Sequence, residues 1–294
     1  MGIKDVNLED GNKLPVRELK LHEMAEHAAI VMIARRGSGK SWICRALLKA
    51  YSDYPVGLII APTDRMNAFY GTFFPDTYIH YEYKIQILEK LLKRQEKLID
   101  KLVEKKKVGK KFDSRCYVVM DDCLASSKTW MKDLPIRELL MNGRHYHLMY
   151  ILTMQAPLGI TPEMRMQFEY IFLLAEDFIS NLKKMYDHYA GMFPTFESFR
   201  QVFSKLTEDH GCMVIMNTNR HKKKVETTGT FLDKIRWYKA DNIEISDIGC
   251  KQFQKYHSEN FDPNWRRKHN SFNLNDFCIQ NKKEKKGLTI QKIV

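Results

Sequence analysis

Ala28-Ala29-Ile30-Val31-Met32-Ile33 runs without a polar side chain into Ala34-Arg35-Arg36-Gly37-Ser38-Gly39-Lys40-Ser41, and Trp42-Ile43-Cys44-Arg45-Ala46-Leu47-Leu48 follows at once. The order is buried strand, glycine-containing turn, helix. A chain with this order is confined to folds in which a parallel strand hands over to a helix at one sheet edge. Backbone N–H groups around Gly37 and Gly39, with the positive end of the helix, make a cradle for a polyanion. In such a cradle Lys40 reaches the β- and γ-phosphates of a nucleotide and Ser41 reaches Mg²⁺. The expected nucleotide contacts are therefore Arg36, Gly37, Ser38, Gly39, Lys40, Ser41 and Trp42. The full loop pattern opens with glycine, and this chain has Ala34 in that place.

The rest of the chain reads as strands alternating with helices. Val56-Gly57-Leu58-Ile59-Ile60-Ala61-Pro62 is a short apolar run closed by proline, which predicts a second buried strand. Cys116–Met120, Leu148–Leu152, Tyr170–Leu174 and Cys212–Met216 are further runs of strand length. Residues 82–107 place Leu88, Leu91, Leu92, Leu98, Ile99, Leu102 and Val103 at helical spacing among charges, predicting one long amphipathic helix whose charged face is solvated. Lys105–Lys111 then form a basic, glycine-containing break. Shorter helices are expected over Leu134–Met141, with Pro135 in the first turn, over Pro162–Gln167 and over Phe196–Leu206. This alternation predicts an α/β fold with a mostly parallel central sheet flanked by helices. Expected boundaries are a lead-in over 1–27, a core over 28–218 and an irregular, basic extension over 219–294.

Composition narrows the partners. Lysine and arginine outnumber acids 48 to 36, a net charge of +12, which favours a polyanionic partner such as nucleic acid. Residues 264–294 concentrate the excess, with eight basic residues against Asp276 and Glu284. Six scattered cysteines without a Cys-x-x-Cys pair suggest neither a zinc site nor a disulfide framework. No apolar run approaches the roughly 18 residues that span a bilayer, and the first residues lack a secretory apolar segment. A soluble, non-secreted chain without a membrane partner is expected.

Hydrolysis of a bound nucleotide needs an acid that organises the metal and a group that polarises water. Tyr117-Val118-Val119-Met120-Asp121-Asp122 offers both, with Asp121 expected on Mg²⁺ at the end of a strand beside the phosphate strand and Asp122 on water. Thr153-Met154-Gln155 ends another strand, so Thr153 and Gln155 are expected to face the nucleotide beside Asp121, with Gln155 sensing the γ-phosphate or placing water. Asn142-Gly143-Arg144-His145-Tyr146-His147 precedes that strand, and its polar groups are expected to join the same sheet edge. Arg144 is then a candidate to stabilise charge on the transferring phosphoryl group, with Arg35 and Arg36 as rivals from within the loop. His145 and His147 read as strand-entry residues and not as metal ligands.

These residues, in this order and spacing, resemble the genome-packaging ATPases of nucleocytoplasmic large DNA viruses, the poxvirus-type branch of the FtsK/HerA superfamily. The resemblance rests on Ala34–Ser41, Ile59-Ile60-Ala61-Pro62-Thr63, Val118–Asp122, Gly143-Arg144-His145 and Thr153-Met154-Gln155, and Ile235–Ala240 resembles the family's closing segment. It implies a phosphate-loop ATPase fold and an ATP- and Mg²⁺-dependent motor that packages double-stranded DNA into a capsid. It further implies a ring-shaped homo-oligomer with capsid or portal partners, working in the host cytoplasm or viral factory. Under it Asp121 and Asp122 take the metal-binding and catalytic acid positions, Gln155 is the sensor, and an arginine acts in trans. The chain departs from the pattern at Ala34 and in carrying Asp122 where many members have Glu. Rival readings are a nucleoside or small-molecule kinase, a cellular-type DNA-pumping ATPase, and a nucleic-acid scaffold with a vestigial nucleotide site.

Overall fold

The computed structural model describes residues 2–9, 11, 13–123, 130–217, 231–241, 248–262 and 264. Its strands are β1 (Ile3–Asn7), β2 (Lys13–Glu18), β3 (Ala29–Ile33), β4 (Val56–Ile60), β5 (Ile79–His80), β6 (Cys116–Met120), β7 (Leu148–Met154), β8 (Tyr170–Leu174), β9 (Gly211–Met216) and β10 (Ile235–Lys239). They make one sheet in the order β1-β2-β10-β9-β8-β3-β7-β6-β4-β5. Every pairing from β8 to β5 is parallel, whereas β9 runs against both β8 and β10. The mostly parallel α/β fold expected from the alternation is the observed one. β6, β7, β8 and β9 are buried at every residue, which is why they read as unbroken apolar runs and not as alternating ones.

The two-residue period of a strand divides the core. Val31, Ile33, Val118 and Leu152 face a layer that includes α3 (Ile85–Lys107), α4 (Leu134–Asn142), α6 (Ile179–Tyr189) and α7 (Phe196–Leu206). Ile30, Met32, Val119 and Ile151 face α1 (Lys40–Ala50) and α8 (Lys251–Asn260) on the other side. Two short helices, α2 (Asp64–Asn67) and α5 (Pro162–Arg165), lie in connections. The sheet is wider than the span 28–218. β1 and β2 come from the expected lead-in, and β10 comes from beyond residue 218 and inserts between β2 and β9. In the same region Phe253 of α8 stacks on Tyr78 with ring centroids 4.0 Å apart. Elements this short, flanked by polar sequence, leave no periodic signature. The basic residues from Arg266 to Lys292 lie outside the described residues.

Two sequence expectations about position are corrected. β6, which leads to Asp121, is not beside β3, because β7 pairs with both and lies between them. Sequence order carries no record of sheet order when every strand is apolar on both faces. The segment Asn142–His147 also does not share an edge with Gln155. It enters β7 at the amino end, and the seven residues of that strand span about 23 Å.

α3 is anchored at a point the apolar stripe does not reveal. Its buried residues are Leu88, Leu91, Leu92 and Gln95, whereas Leu98, Ile99 and Leu102 are half-buried and Val103 is exposed. The Gln95 amide donates 2.8 Å hydrogen bonds to the backbone carbonyls of both Ser114 and Tyr146, just ahead of β6 and β7. Gln95→Leu would leave one buried and one partly buried carbonyl without that donor. Unfolding in urea should show a loss of about 1–3 kcal/mol, against a near-neutral change for the exposed neighbour Glu96→Gln.

Candidate nucleotide site

The carboxyl edge of the parallel strands gathers the chemistry. β3 ends in the phosphate loop, with Ala34 N–H donating to the Met154 carbonyl so that the loop stays tied to β7 for one residue more. Gly37 and Gly39 have φ of 82° and 96°, a left-handed backbone that side chains rarely adopt. Both the Ser38 amide and its hydroxyl donate to the Arg35 carbonyl, at 3.3 and 2.7 Å, so Ser38 shapes the turn. Gly39 caps α1, whose first residues are Lys40 and Ser41. Gly39 brings no β-carbon to the start of the helix and the first turn carries no acid, so no negative side chain there competes for the positive end of the helix.

Lys40 joins this loop to the end of β6. Its ammonium lies 2.7 Å from Asp122 Oδ1 and 3.2 Å from Asp121 Oδ1. Burial acts to lower its pKa, but the charges of Asp121 and Asp122 outweigh it and hold the group above the ordinary lysine value. Lys40 is therefore a cation throughout the physiological range.

The two acids are built differently. Asp121 is 5% exposed, receives the Thr153 hydroxyl on Oδ1 and accepts the Tyr70 hydroxyl on Oδ2 at 3.1 Å. Tyr70 is kept protonated, and so a donor, by its burial and then by the Asp121 charge, which raise its pKa well above the usual tyrosine value. Asp122 has φ of 54°, in the left-handed region where Asp is favoured over bulkier residues. Its amide donates to Thr153 Oγ1 at 3.1 Å, and its Oδ1 accepts Gln155 Nε2 at 3.0 Å. One threonine thus fixes both acids, while the backbone turn aims Asp122 at Lys40 and Gln155.

Lys40, Tyr70, Asp121, Asp122 and Gln155 line a cavity of about 860 Å³ that also takes in Arg36, Ser41, Trp42, Thr63, Asn67 and His210. Of the expected site residues, Arg35, Arg36, Gly37, Gly39, Lys40, Ser41, Trp42, Asp121, Asp122 and Gln155 all line it. Arg35 is itself engaged, paired with Asp177, 3.7 Å from the buried Glu176 and stacked on Phe178. Arg36 is exposed at the cavity and has no acidic partner among the described residues. Arg144 is exposed at the far end of β7 and does not line the cavity of its own chain. His147 accompanies it there, stacked on His27 and within 2.6 Å of Ser114 Oγ.

Sequence reasoning passed over Tyr70 and Asp64. The Asp64 carboxylate accepts the Tyr70 amide at 2.8 Å, which places the tyrosine against Asp121. The signal that could have found them is Pro62-Thr63-Asp64, directly after a buried strand and so at the same edge. His210, Asp209 and Lys239 were also missed. β9 starts, and β10 ends, on this edge because β9 runs antiparallel to β8.

Hard oxygen donors fit Mg²⁺, and Ser41 with Asp121 supplies a hydroxyl and a carboxylate to the lining of the cavity. The twin left-handed glycines and the lysine suit a triphosphate. Thr153→Val keeps the volume but removes the hydroxyl on which both acids depend. It should lower the unfolding free energy by about 1–3 kcal/mol in denaturant titrations, and Thr153→Ser should recover most of the loss.

Comparison with known proteins places the chain. The model of the Poxvirus A32 protein family matches residues 19–185. The uncharacterized protein L437 of Acanthamoeba polyphaga mimivirus is 48% identical over 256 residues, covering 87% of this chain and 87% of its own length. The uncharacterized protein 075L of Invertebrate iridescent virus 6 is 29% identical over 255 residues, covering 86% of this chain and 93% of its own. Among solved structures, the chain is similar to B204, the DNA-packaging ATPase from Sulfolobus turreted icosahedral virus, at 17% identity and a TM-score of 0.49, over 74% of this chain and 100% of that one. With more than half of its length matched by the family model, the chain belongs to the Poxvirus A32 protein family.

Proposed function

We propose that this protein is an ATPase that uses hydrolysis to drive double-stranded DNA into a viral capsid, working as a ring of identical subunits. The carrying observation is the junction of Lys40 with Asp121 and Asp122, because it brings phosphate-loop cation, metal-site acid and water-site acid into one cavity. Family membership and relatives encoded by large DNA viruses support the viral setting. The net charge of +12 supports a polyanionic track.

In this reading the loop amides and Lys40 bind the triphosphate, with Lys40 exchanging its carboxylate partners for phosphate oxygens. Ser41 and Asp121 hold Mg²⁺, which when bound neutralises charge on the phosphates. Asp122, released from Lys40, accepts a hydrogen bond from the attacking water, and Gln155 fixes the carboxylate's direction. Thr153 and Tyr70 keep Asp121 in place and unable to swing towards the water site. Arg36 supplies positive charge from within the subunit. Arg144 contributes only from a neighbouring subunit, since a strand length separates it from its own cavity.

Lys40→Ala should abolish ATP hydrolysis, and a wild-type rate in the purified variant would overturn the assignment of the loop. Asp122→Asn should retain nucleotide binding and lose turnover by about 10²-fold or more, because it removes a group that acts on the nucleophile. Duplex DNA should raise the wild-type rate. Mixing each arginine variant with Lys40→Ala subunits separates the two roles. Arg144→Ala should impair hydrolysis by its neighbour, and Arg36→Ala only its own.

A further inference from the structure

α3 overshoots the sheet. Its last buried residue, Gln95, bonds to Ser114 and Tyr146 at the amino edge, yet the helix continues through Lys107. Residues 96–107 continue about 18 Å further at the edge opposite the nucleotide cavity, with Leu98, Ile99, Leu102 and Lys105 only half-buried and Lys101 lying 5.1 Å over the Phe112 ring of the returning chain. The helix ends in a tight reversal. Gly109 has φ of 68°, its amide donates to the Lys106 carbonyl at 3.1 Å, and the Lys110 amide donates to the Lys105 carbonyl at 2.9 Å. These two bonds are the Schellman arrangement, which folds the chain back over the last helical turn.

The reversal gathers Lys105, Lys106, Lys107, Lys110 and Lys111 into one tip. All but the half-buried Lys105 are exposed, and no carboxylate among the described residues forms an ion pair with any of them. The neighbouring acid Asp113 is engaged by Arg115 at 2.7 Å. Lysines at a helix C-terminus favourably oppose the helix dipole, but that effect needs only charges within the last turn. It does not account for Lys110 and Lys111 beyond the cap. Five such ammonium groups at one helix end match a surface of regularly spaced negative charge.

We infer that the tip of α3 is a contact for the phosphate backbone of double-stranded DNA, an inference that rests on the DNA-motor reading above. The contact is independent of base sequence, since ammonium groups on flexible stems bind phosphates as point charges. It also lies at the edge where Arg144 is exposed, so the tip and the arginine face the same side of the subunit.

The test uses the full chain with Lys105, Lys106, Lys107, Lys110 and Lys111 all changed to Gln, and a control carrying Lys90→Gln, Lys93→Gln and Lys97→Gln. Fluorescence anisotropy measures binding to a mixed-sequence duplex over a salt series. The tip variant should bind at least about tenfold more weakly, with a slope of log K against log salt shallower by about 0.9 for each phosphate that is no longer neutralised. The control should lie near wild type, and hydrolysis without DNA should be unchanged in both. Wild-type affinity and slope in the tip variant would overturn the inference and turn the tip towards an acidic protein surface, leaving the motor reading intact. If the wild-type chain itself binds no duplex, the motor reading falls and this inference falls with it.

Discussion

Two strand spacings, about 9.6 Å, separate the strand that carries the phosphate loop from the strand that carries the acids, and the site depends on that gap. With β6 directly beside β3, the acids would sit one strand spacing closer to the loop. With β7 between them, Lys40 can still reach across to both acids, and β7 itself supplies Gln155 to the cavity and the buried Thr153 to the two acids. The intervening strand is therefore a spacer and a ligand support at once. Its seven residues are buried throughout, so their side chains are held by the core on both faces.

Asp121 and Asp122 differ in how firmly their hydrogen bonds hold them. Asp121 is surrounded by donors from Thr153 and Tyr70, which leaves it little freedom. Asp122 sits in a left-handed turn, partnered by Lys40 and Gln155, both of which line the cavity. That backbone also bears on the departure from Glu in this position. The left-handed region favours a short polar side chain, and the turn carries the carboxylate towards the cavity without an extra methylene. The loop's first residue has a comparable explanation. Ala34 is fully buried and its amide continues the pairing with β7, so its position behaves as strand and makes no demand for glycine.

Much of this is legible in the sequence, for physical reasons. Strands buried on both faces produce unbroken apolar runs, and those runs bound β3, β4, β6, β7 and β8 to within a residue or two. α3 shows the limit of the same signal. Its apolar stripe continues to Val103, but burial stops at Gln95, because the stripe reports what a helix could bury and not how far the sheet extends beneath it. The short strands β1, β2 and β10 are hidden because five or six partly exposed residues rich in polar side chains look like loop. Tyr70 and Asp64 are hidden because their value lies in hydrogen bonds that link an irregular connection to an acid distant in the chain.

The sequence by itself determined the local chemistry: a strand, a turn needing two left-handed glycines, a lysine and a hydroxyl at a helix start, and paired acids closing another strand. Each depends on residues close together along the chain, so local sterics and hydrogen bonding suffice to specify it. Only the tertiary structure decided which strands are neighbours, and with that the gap between loop and acids, the shared threonine, and the placement of Arg144 and the α3 tip at the far edge. Strand order is set by the packing of whole apolar faces against helices, a collective energy to which no single residue or motif holds the key.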